Sequence, residues 1–185
     1  MIAGAARGRR LAAPRGRQVR PTADRVKEAL FAALQPWIQG ARVLDLYAGA
    51  GGLGLEARSR GAATVTFVER DRAALVALRR NIEVVGLDST HVVVGEVGRV
   101  LAAPLATAPF DLVLADPPYD HDPSAALADL PDHLAPAAVV IVERSVRSTV
   151  LRWPSGLIVD DPRRYGDTLL VWARVPGLEA EEVAR

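Results

Sequence analysis

One stretch of the sequence places several glycines directly after an apolar run. Residues 43–54 read VLDLYAGAGGLG, and Gly49, Gly51 and Gly54 have the GxGxxG spacing of dinucleotide-binding loops. Glycine lets a backbone turn sharply and approach a ligand, and the N-terminus of a following helix offers free N–H groups. The spacing alone is a weak indication, because a purely structural turn in this glycine loop (residues 47–54) would look the same.

Two carboxylates narrow the choice of ligand. Asp45 lies four residues before Gly49, where it could meet an ammonium group or a water but would repel a pyrophosphate. Glu69 ends the next apolar run and could accept hydrogen bonds from both hydroxyls of a ribose. An adenosine ligand with a cation and no phosphate fits both, which indicates S-adenosylmethionine. An oxidoreductase with a nicotinamide cofactor would use the same glycines but leave Asp45 unexplained.

A second stretch whose residues could bind a substrate is ADPPY at residues 115–119, where an apolar run stops at two prolines. Proline donates no backbone N–H, and Pro118 restrains Pro117 to an extended conformation. We expect a rigid acceptor corner (residues 116–119) that presents the Asp116 carboxylate, the Pro117 carbonyl and the Tyr119 ring. A flat base could stack on the ring while its amine donates to the two oxygens. The alternative is a strand-ending turn with a solvated aspartate.

The apolar pattern predicts the elements that position these residues. Apolar runs without alternation, typical of buried parallel strands, are separated by helical stretches, so we expect an α/β fold with helices on both sheet faces. The last two runs predict an antiparallel pair at one sheet edge. We expect Thr22 to cap the first helix and Pro36 to end it. The predicted strands are 42–46, 64–68, 91–94, 112–115, 139–142, 157–159 and 168–175, and the later helices are 53–60, 72–85 and 124–130.

The charged residues that sum to a net charge of +1 are distributed unevenly along the chain. Residues 1–27 hold eight basic residues and one acidic residue, ahead of a mildly acidic body. A basic arm suggests a polyanionic partner, with nucleic acid the first candidate, while a solvated terminus without specific contacts explains the charge equally well. We divide the chain into a basic arm that contacts RNA at 1–20, one domain at 21–177 and a flexible tail at 178–185.

Composition excludes several classes of protein. The chain has no cysteine, which excludes disulfides and thiolate zinc sites, and its three histidines lack the spacing of a metal site, so we expect no metal. No apolar run approaches the roughly 18 residues that span a bilayer. The basic N-terminus is not followed by the apolar stretch of a secretory signal. We therefore expect a cytoplasmic protein without a membrane partner.

The two stretches DLYAGAGGLGLEA and ADPPY together resemble the S-adenosylmethionine-dependent amino-methyltransferases. RPTADRVKEALF at residues 20–31 and RYGDT at 164–168 are further similar to the RsmD-like family, over nearly the whole chain. The resemblance implies a Rossmann-like class I methyltransferase fold: a mostly parallel seven-stranded sheet with an antiparallel C-terminal hairpin. It also implies methyl transfer to the exocyclic N2 of guanine 966, in conventional numbering, of 16S ribosomal RNA within the small ribosomal subunit. We expect the protein to act as a monomer.

The same resemblance implies roles for the cofactor-side residues. Tyr47 stands where the family usually has phenylalanine. Glu96 stands where an aspartate often contacts the adenine amine of the cofactor; a solvated glutamate at a helix start is the alternative. Asn81, in the helix after the second strand, is a weaker candidate. The residues expected to bind S-adenosylmethionine are Asp45, Gly49, Gly51, Glu69 and Glu96.

On the substrate side, the resemblance makes Asp116, Pro117 and Tyr119 the catalytic residues. The N2 lone pair of guanine is delocalised into the ring, so hydrogen bonds from its amine to Asp116 and to the Pro117 carbonyl would favour a pyramidal nitrogen aimed at the methyl group. The residues expected to contact the RNA are Tyr119, Arg7, Arg9, Arg10, Arg20 and Arg25.

Two other functions stay open at this point. The first is an amino-methyltransferase that acts on DNA adenine or another RNA; the short chain has no room for a large target-recognition domain, and the basic arm favours RNA. The second is a non-catalytic RNA-binding protein on the same fold. Damage to the glycine loop or to the acceptor corner would indicate it, and neither stretch is damaged.

Overall fold

A computed structural model of the protein describes residues 1–12 and 21–177. Five α-helices are described: α1 (Pro21–Ala33), α2 (Gln35–Ile38), α3 (Gly52–Ser59), α4 (Arg72–Val85) and α5 (Val97–Leu101), with a 3-10 helix at Leu130–His133. The strands are β1 (Arg42–Leu46), β2 (Thr64–Glu69), β3 (Thr90–Val94), β4 (Phe110–Ala115), β5 (Leu134–Ser145), β6 (Ile158–Val159), β7 (Arg163–Tyr165) and β8 (Thr168–Arg174).

All of these strands lie in one sheet, in the order β3-β2-β1-β4-β5-β8-β6, with β7 also paired to β8. Strands β1 to β5 are parallel, and β8 runs antiparallel to β5. The chain builds outward from β1 to β3 and then returns to β4, on the other side of β1. A crevice opens at such a reversal, beyond the carboxyl ends of the strands, and open α/β sheets bind their ligands there.

Helices cover both faces of the sheet. Alternate strand residues such as Val43 and Leu114 pack on one face against α1 to α4, and residues such as Leu44 and Val113 pack on the other against α5. Runs that are apolar without alternation are required by a sheet that is buried on both sides. The expected α/β architecture is confirmed, with a mostly parallel sheet and an antiparallel C-terminal hairpin. In the described residues, none of the helices has the length and apolar character to cross a membrane.

The sheet has one more strand than the seven expected. β6 and β7 pair with different parts of β8: Ile158 lies opposite Arg174, and Tyr165 lies opposite Thr168. They are successive pieces of one outer position, interrupted at residues 160–162. The sheet is therefore seven strands wide and contains eight strands.

Three predictions about helices were wrong, those for the helix at 124–130, the Thr22 cap and the Pro36 end, and one helix was missed. The helix expected at 124–130 is a series of turns, in which Ala128 N–H donates to the Ala125 carbonyl, before the 3-10 helix with Pro131. Helix α5 was not predicted, because five residues are too few to show a helical period. Helix α1 begins at Pro21, so Thr22 lies inside it, and Pro36 occupies the first turn of α2, where proline is tolerated.

Residues 1–12 pack against α3 and α4. The N–H groups of Ile2 and Ala3 each donate to the Glu56 carboxylate at 2.9 Å, and Ala6 is buried. Gly4 has φ +78°, and a Cβ there would lie 1.8 Å from the Ser59 carbonyl oxygen, so this close approach requires glycine. The boundary expected after residue 20 and the expected tail at 178–185 lie outside the described residues.

Candidate active site

The predicted site residues follow the carboxyl ends of neighbouring parallel strands. The glycine loop follows β1, β2 ends at Glu69, and Asp116 follows β4. β1 and β4 are paired at the point where the strand order reverses, which is the ligand-binding position of this class of sheet. The fold therefore brings the glycine loop and the acceptor corner, predicted separately, to one edge of the sheet.

Positive φ angles fold the glycine loop back onto the start of α3. Gly49 has φ +57° and Gly51 has φ +83°, which residues with a Cβ rarely adopt. A Cβ on Gly54 would lie 2.4 Å from Phe67 Cε1 and 2.8 Å from Asp45 Oδ2, so glycine is needed for α3 to pack this closely on the sheet. The loop thus presents the N-terminal end of α3 to the edge of the sheet.

Asp45 lies beneath the glycine loop. It is 1% exposed, and its Oδ2 accepts a hydrogen bond from the Gly54 N–H at 2.8 Å. Burial raises the pKa of Asp45 to about 8; the Gly54 hydrogen bond opposes the rise, and the Asp116 carboxylate adds to it. An acid in this state is mostly neutral at pH 7 and ionises more readily when a cation approaches. The Asp45 carboxyl, which lies below the loop, can therefore ionise and pair with a cationic ligand.

Glu69 holds the glycine loop to the end of β2. Its Oε2 accepts from the Gly49 N–H, and its Oε1 accepts from the N–H groups of Arg70 and Asp71, each at 2.7 Å. A carboxylate has about four acceptor positions, so three backbone partners do not exhaust it. The contact between Glu69 and a ribose stays a prediction. The hydrogen bonds in the structure show in addition that Glu69 holds the glycine loop in place.

The acceptor corner has the exposure that a base would need. Asp116 is exposed, Tyr119 is 52% exposed, and Pro117 between them is buried. Ser148 Oγ donates to the Tyr119 carbonyl at 3.2 Å, which restrains the corner from the end of β5. A carboxylate and an aromatic ring thus face the solvent beside the glycine loop.

Tyr47 and His121 join the two loops, and neither was selected as a site residue from the sequence. The Tyr47 hydroxyl lies 3.3 Å from His121 Nε2, and Arg144 Nη1 donates to the His121 carbonyl at 2.6 Å. Tyr47 has φ +57°, a left-handed conformation that is costly for a tyrosine. Burial raises the pKa of Tyr47 to about 12, and the charge of Glu96 adds to the rise, so the phenol stays protonated and able to donate.

Glu143 is a further carboxylate that the sequence did not single out. It lies near the end of β5, in the position after Val142, which pairs with Ala115 of β4. Burial raises the pKa of Glu143 to about 7, and the Asp116 carboxylate contributes to the rise. Its only sequence signal is an acidic residue at the end of the apolar run VVIVE.

Asn81 and Glu96 have structural partners. Asn81 is fully buried in α4, and its Nδ2 donates to the carbonyls of Ala12 and Ala50 at 2.9 Å. Glu96 is the N-cap of α5 and accepts from the Gly98 N–H at 3.3 Å. The helix-start alternative for Glu96 thus describes its observed contacts, and its contact with an adenine amine stays a prediction.

The arginines predicted to contact RNA differ in whether the structure describes them and in whether their guanidinium groups have hydrogen-bond partners. Arg7, Arg10 and Arg25 are exposed. The Arg9 guanidinium donates to the carbonyls of residues 84 and 85 and so caps the C-terminal end of α4. Arg20 lies outside the described residues. All four described arginines are exposed, and only the guanidinium of Arg9 is engaged by these backbone carbonyls.

Glu56 is the main polar residue that sequence reasoning missed. Its side chain is fully buried and accepts from Arg60 Nε at 2.8 Å as well as from residues 2 and 3, and Lys27 Nζ lies 3.8 Å away. Burial alone would raise the pKa of Glu56, but the Ile2 hydrogen bond, Arg60 and Lys27 hold it below its ordinary value. Glu56 thus anchors the start of the chain beside the glycine loop.

Comparison with known proteins connects this site to a family. A family model described as conserved hypothetical protein 95 matches residues 1–174. The chain belongs to this family. Ribosomal RNA small subunit methyltransferase D of Escherichia coli K12 is 38% identical over 151 residues, which are 80% of this chain and 75% of that protein. YlbH of Bacillus subtilis is 40% identical over 134 residues, 71% of this chain and 73% of that protein. The resemblance to the RsmD-like family is confirmed.

Solved structures place this RsmD-like protein among class I methyltransferases. Escherichia coli yhhF has a TM-score of 0.84 at 34% identity, over 96% of this chain and 97% of that one. Thermus thermophilus TTHA0928 has a TM-score of 0.77 at 29% identity, over 95% and 97%. SMU.776, solved in complex with SAH, shares the fold at 14% identity with a TM-score of 0.69, over 85% of this chain and 50% of that one.

Proposed function

We propose that the protein transfers the methyl group of S-adenosylmethionine to the exocyclic N2 amine of a guanine in small-subunit ribosomal RNA, the base at position 966 in conventional numbering. The observation that carries the proposal is the placement of an exposed Asp116 and Tyr119 beside the glycine loop, in a chain related to a small-subunit methyltransferase over most of its length. Action as a monomer, in the cytoplasm and on an assembled small subunit, belongs to the same proposal.

The residues present fit S-adenosylmethionine. The glycine loop leaves room for close approach of a ligand at the N-terminal end of α3. Asp45 and Glu143 both have raised pKa values, and both lie close enough to Asp116 to interact with its charge. Carboxyls at this edge of the sheet suit a cation better than a phosphate, and Asp45, beneath the glycine loop, fits the ammonium of this cofactor. The cofactor supplies an electrophilic methyl group.

The chain contributes positioning and charge. Asp116 and the Pro117 carbonyl would accept the two N–H groups of the guanine amine, which draws the nitrogen toward a pyramidal shape with its lone pair toward the methyl group. Tyr119 would stack on the base and hold its plane. The amine becomes acidic as it is methylated, and an Asp116 carboxylate oxygen would take the proton. Positioning and electrostatic stabilisation of this kind supply most of the catalysis in such direct displacements.

Exposed arginines would contribute the RNA contact. Arg7, Arg10 and Arg25 are exposed in a chain whose first 27 residues are strongly basic. Phosphate contacts hold an RNA in register without reading its sequence. The choice of base would then depend on the acceptor corner and its neighbours.

The test is methyl transfer from labelled S-adenosylmethionine to small subunits from cells that lack the enzyme, followed by nucleoside analysis. Labelled N2-methylguanosine is expected from the wild type and not from Asp116→Ala, while Asp120→Ala, a neighbouring exposed aspartate, is the matched control. N6-methyladenosine would support the alternative substrate; a relative named tRNA1(Val) (adenine(37)-N6)-methyltransferase is 32% identical over 101 residues. RNA binding without any transfer would support the non-catalytic alternative.

A further inference from the structure

Glu143 of β5 lies beside Asp116, the first residue after β4. Ala115, the last residue of β4, pairs with Val142 of β5, so the residues that follow this pair are Asp116 and Glu143. Alternation in both strands places them on one face: Leu114 and Ile141, two positions earlier, both pack into the core on the α1–α4 side. The two carboxyls therefore lie side by side at the edge where the base is expected to bind.

Among the residues that the structure describes, the Glu143 carboxyl has no partner of opposite charge. Its neighbour on β8 is Leu170, which is fully buried, and Arg144 lies on the opposite face, where it donates to the carbonyls of His121 and Thr149. Across the described ranges, no hydrogen bond or ion pair reaches the Glu143 side chain; the interaction found for it is with Asp116, a like charge. A half-buried carboxyl with acceptor capacity to spare is costly unless a donor arrives.

Guanine carries such a donor next to the amine that Asp116 would hold. Its Watson–Crick edge presents N1–H directly beside the N2 amine, so two adjacent carboxylates can accept from two adjacent donors. Adenine presents its amine beside an unprotonated N1, whose lone pair would face a carboxylate. The spacing of neighbouring strands, roughly 4.8 Å, is suited to side chains that contact adjacent atoms of one ring.

We propose that Glu143 accepts the N1–H of the target guanine and thereby selects guanine over adenine. The inference rests on the proposed function, because it assumes an amine held at Asp116. Its electrostatics are consistent with that use: the pKa of Glu143, raised to about 7 by burial and by Asp116, would fall when a cation and an N–H donor are bound nearby. Glu143 then selects the base, while Asp116 contacts the reacting amine.

The test compares two bases that share the reacting amine. 2-Aminopurine has the amine on C2 but no N1–H. Small subunits would be reconstituted with RNA that carries guanine or 2-aminopurine at the target position, and single-turnover transfer would be measured for the wild type, Glu143→Gln and Glu143→Ala. Glu83→Gln, an exposed glutamate on α4, is the matched control. Calorimetry of S-adenosylmethionine and thermal unfolding on each variant report whether the cofactor site and the fold persist.

We expect the wild type to methylate guanine at least ~10²-fold faster than 2-aminopurine, because sites built to bind a donor reject analogues that lack it. Glu143→Ala, which removes the acceptor, should slow transfer to guanine by ~10²-fold and change transfer to 2-aminopurine by less than about 3-fold, so that the ratio falls. Glu143→Gln, which keeps one acceptor oxygen but not the charge, should give a smaller loss on guanine in the same direction. Equal losses on both bases, or no loss, would overturn the role of Glu143. Failure of the wild type to methylate guanine N2 at all would instead overturn the proposed function.

Discussion

Asn81 and Ala12 exchange two hydrogen bonds: the Ala12 N–H donates to Asn81 Oδ1 at 2.7 Å, and Asn81 Nδ2 donates back to the Ala12 carbonyl at 2.9 Å. The same Nδ2 donates to Ala50 in the glycine loop. One buried amide therefore connects the first residues of the chain to the loop expected to bind the cofactor. A substitution that disturbs the first residues of the chain should therefore weaken the binding of the cofactor.

Asn81→Ala should weaken both the fold and the cofactor site. It leaves polar groups of Ala12 and Ala50 without their partner, and each such loss in a buried setting costs roughly 1–3 kcal/mol. We expect a decrease of about 2–3 kcal/mol in the free energy of unfolding, measured in urea, and weaker S-adenosylmethionine binding in calorimetry. Glu83→Ala on the same helix should change neither. Unaltered cofactor affinity in Asn81→Ala would refute the link to the loop.

Two glycines near the start of the chain provide a matched pair for testing how it packs. Gly4 and Gly8 both have positive φ, but a Cβ at Gly4 would meet the Ser59 carbonyl oxygen at 1.8 Å, while Gly8 faces open space. Gly4→Ala should lower the free energy of unfolding by roughly 1–3 kcal/mol more than Gly8→Ala, because only the first adds a clash to the backbone strain. Equal losses would mean that residues 1–12 do not pack on α3 in solution.

The cofactor affinity should depend on pH through Asp45. Its pKa in the folded protein is about 8, so it is mostly protonated at pH 6.5, and a cationic ligand must release that proton. The association constant should therefore rise with pH, by at most about one log unit per pH unit, and level off above pH 8. Asp45→Asn, which keeps an acceptor for Gly54, should reduce this slope. A flat profile in the wild type would contradict the assignment.

The same pKa has a consequence for the ligand-free protein. Burial holds the pKa of Asp45 well above its ordinary value, so its contribution to stability is complete in acid, declines as the pH rises from that ordinary value, and is lost once the pH has passed about 8. Urea unfolding as a function of pH should show stability falling up to about pH 8 and levelling off above it in the wild type, with a smaller fall in Asp45→Asn.

Asp116→Ala should separate binding from transfer. Asp116 is exposed beside the loop, so we expect cofactor affinity to change by only a few-fold, while methyl transfer falls by at least ~10²-fold, as for one lost electrostatic stabiliser. The measurement is single-turnover transfer with calorimetry on the same preparation. Near-normal transfer would refute the role of Asp116 at the amine.

Exposed arginines should determine the salt dependence of RNA binding. Each phosphate neutralised on a single strand contributes about 0.7 to the slope of log affinity against log salt, so replacing Arg7, Arg10 and Arg25 with alanine should flatten it by about 2. Cofactor affinity should not change, because these side chains face solvent. Arg147→Ala, an exposed arginine after β5, is a single-site control. An unaltered slope in the triple variant would leave these arginines without a role in binding.

The sequence was sufficient for the parallel strands because burial on both faces imposes long apolar runs such as residues 42–46 and 64–69. It was not sufficient for β7, whose residues Arg163–Tyr165 form no apolar run. It was also sufficient for the positions of Asp45, Glu69 and Asp116, since each lies at or near the end of such a run. Their partners were not predictable: the bonds from Gly54 to Asp45 and from Gly49 to Glu69 exist only after the loop closes. Glu143 becomes conspicuous only when strand register places it beside Asp116.

The division of the outer strand into β6 and β7 affects how the molecule behaves at high concentration. An unbroken edge strand offers its unpaired N–H and C=O groups to other chains and promotes aggregation. Here the outermost position holds segments of two and three residues, separated by Asp160, Asp161 and Pro162. A proline and two negative charges interrupt the ladder where another strand would add. Replacing residues 160–162 with β-forming residues would join the two segments into one continuous edge strand. We expect such a variant to aggregate more readily at high protein concentration than the wild type.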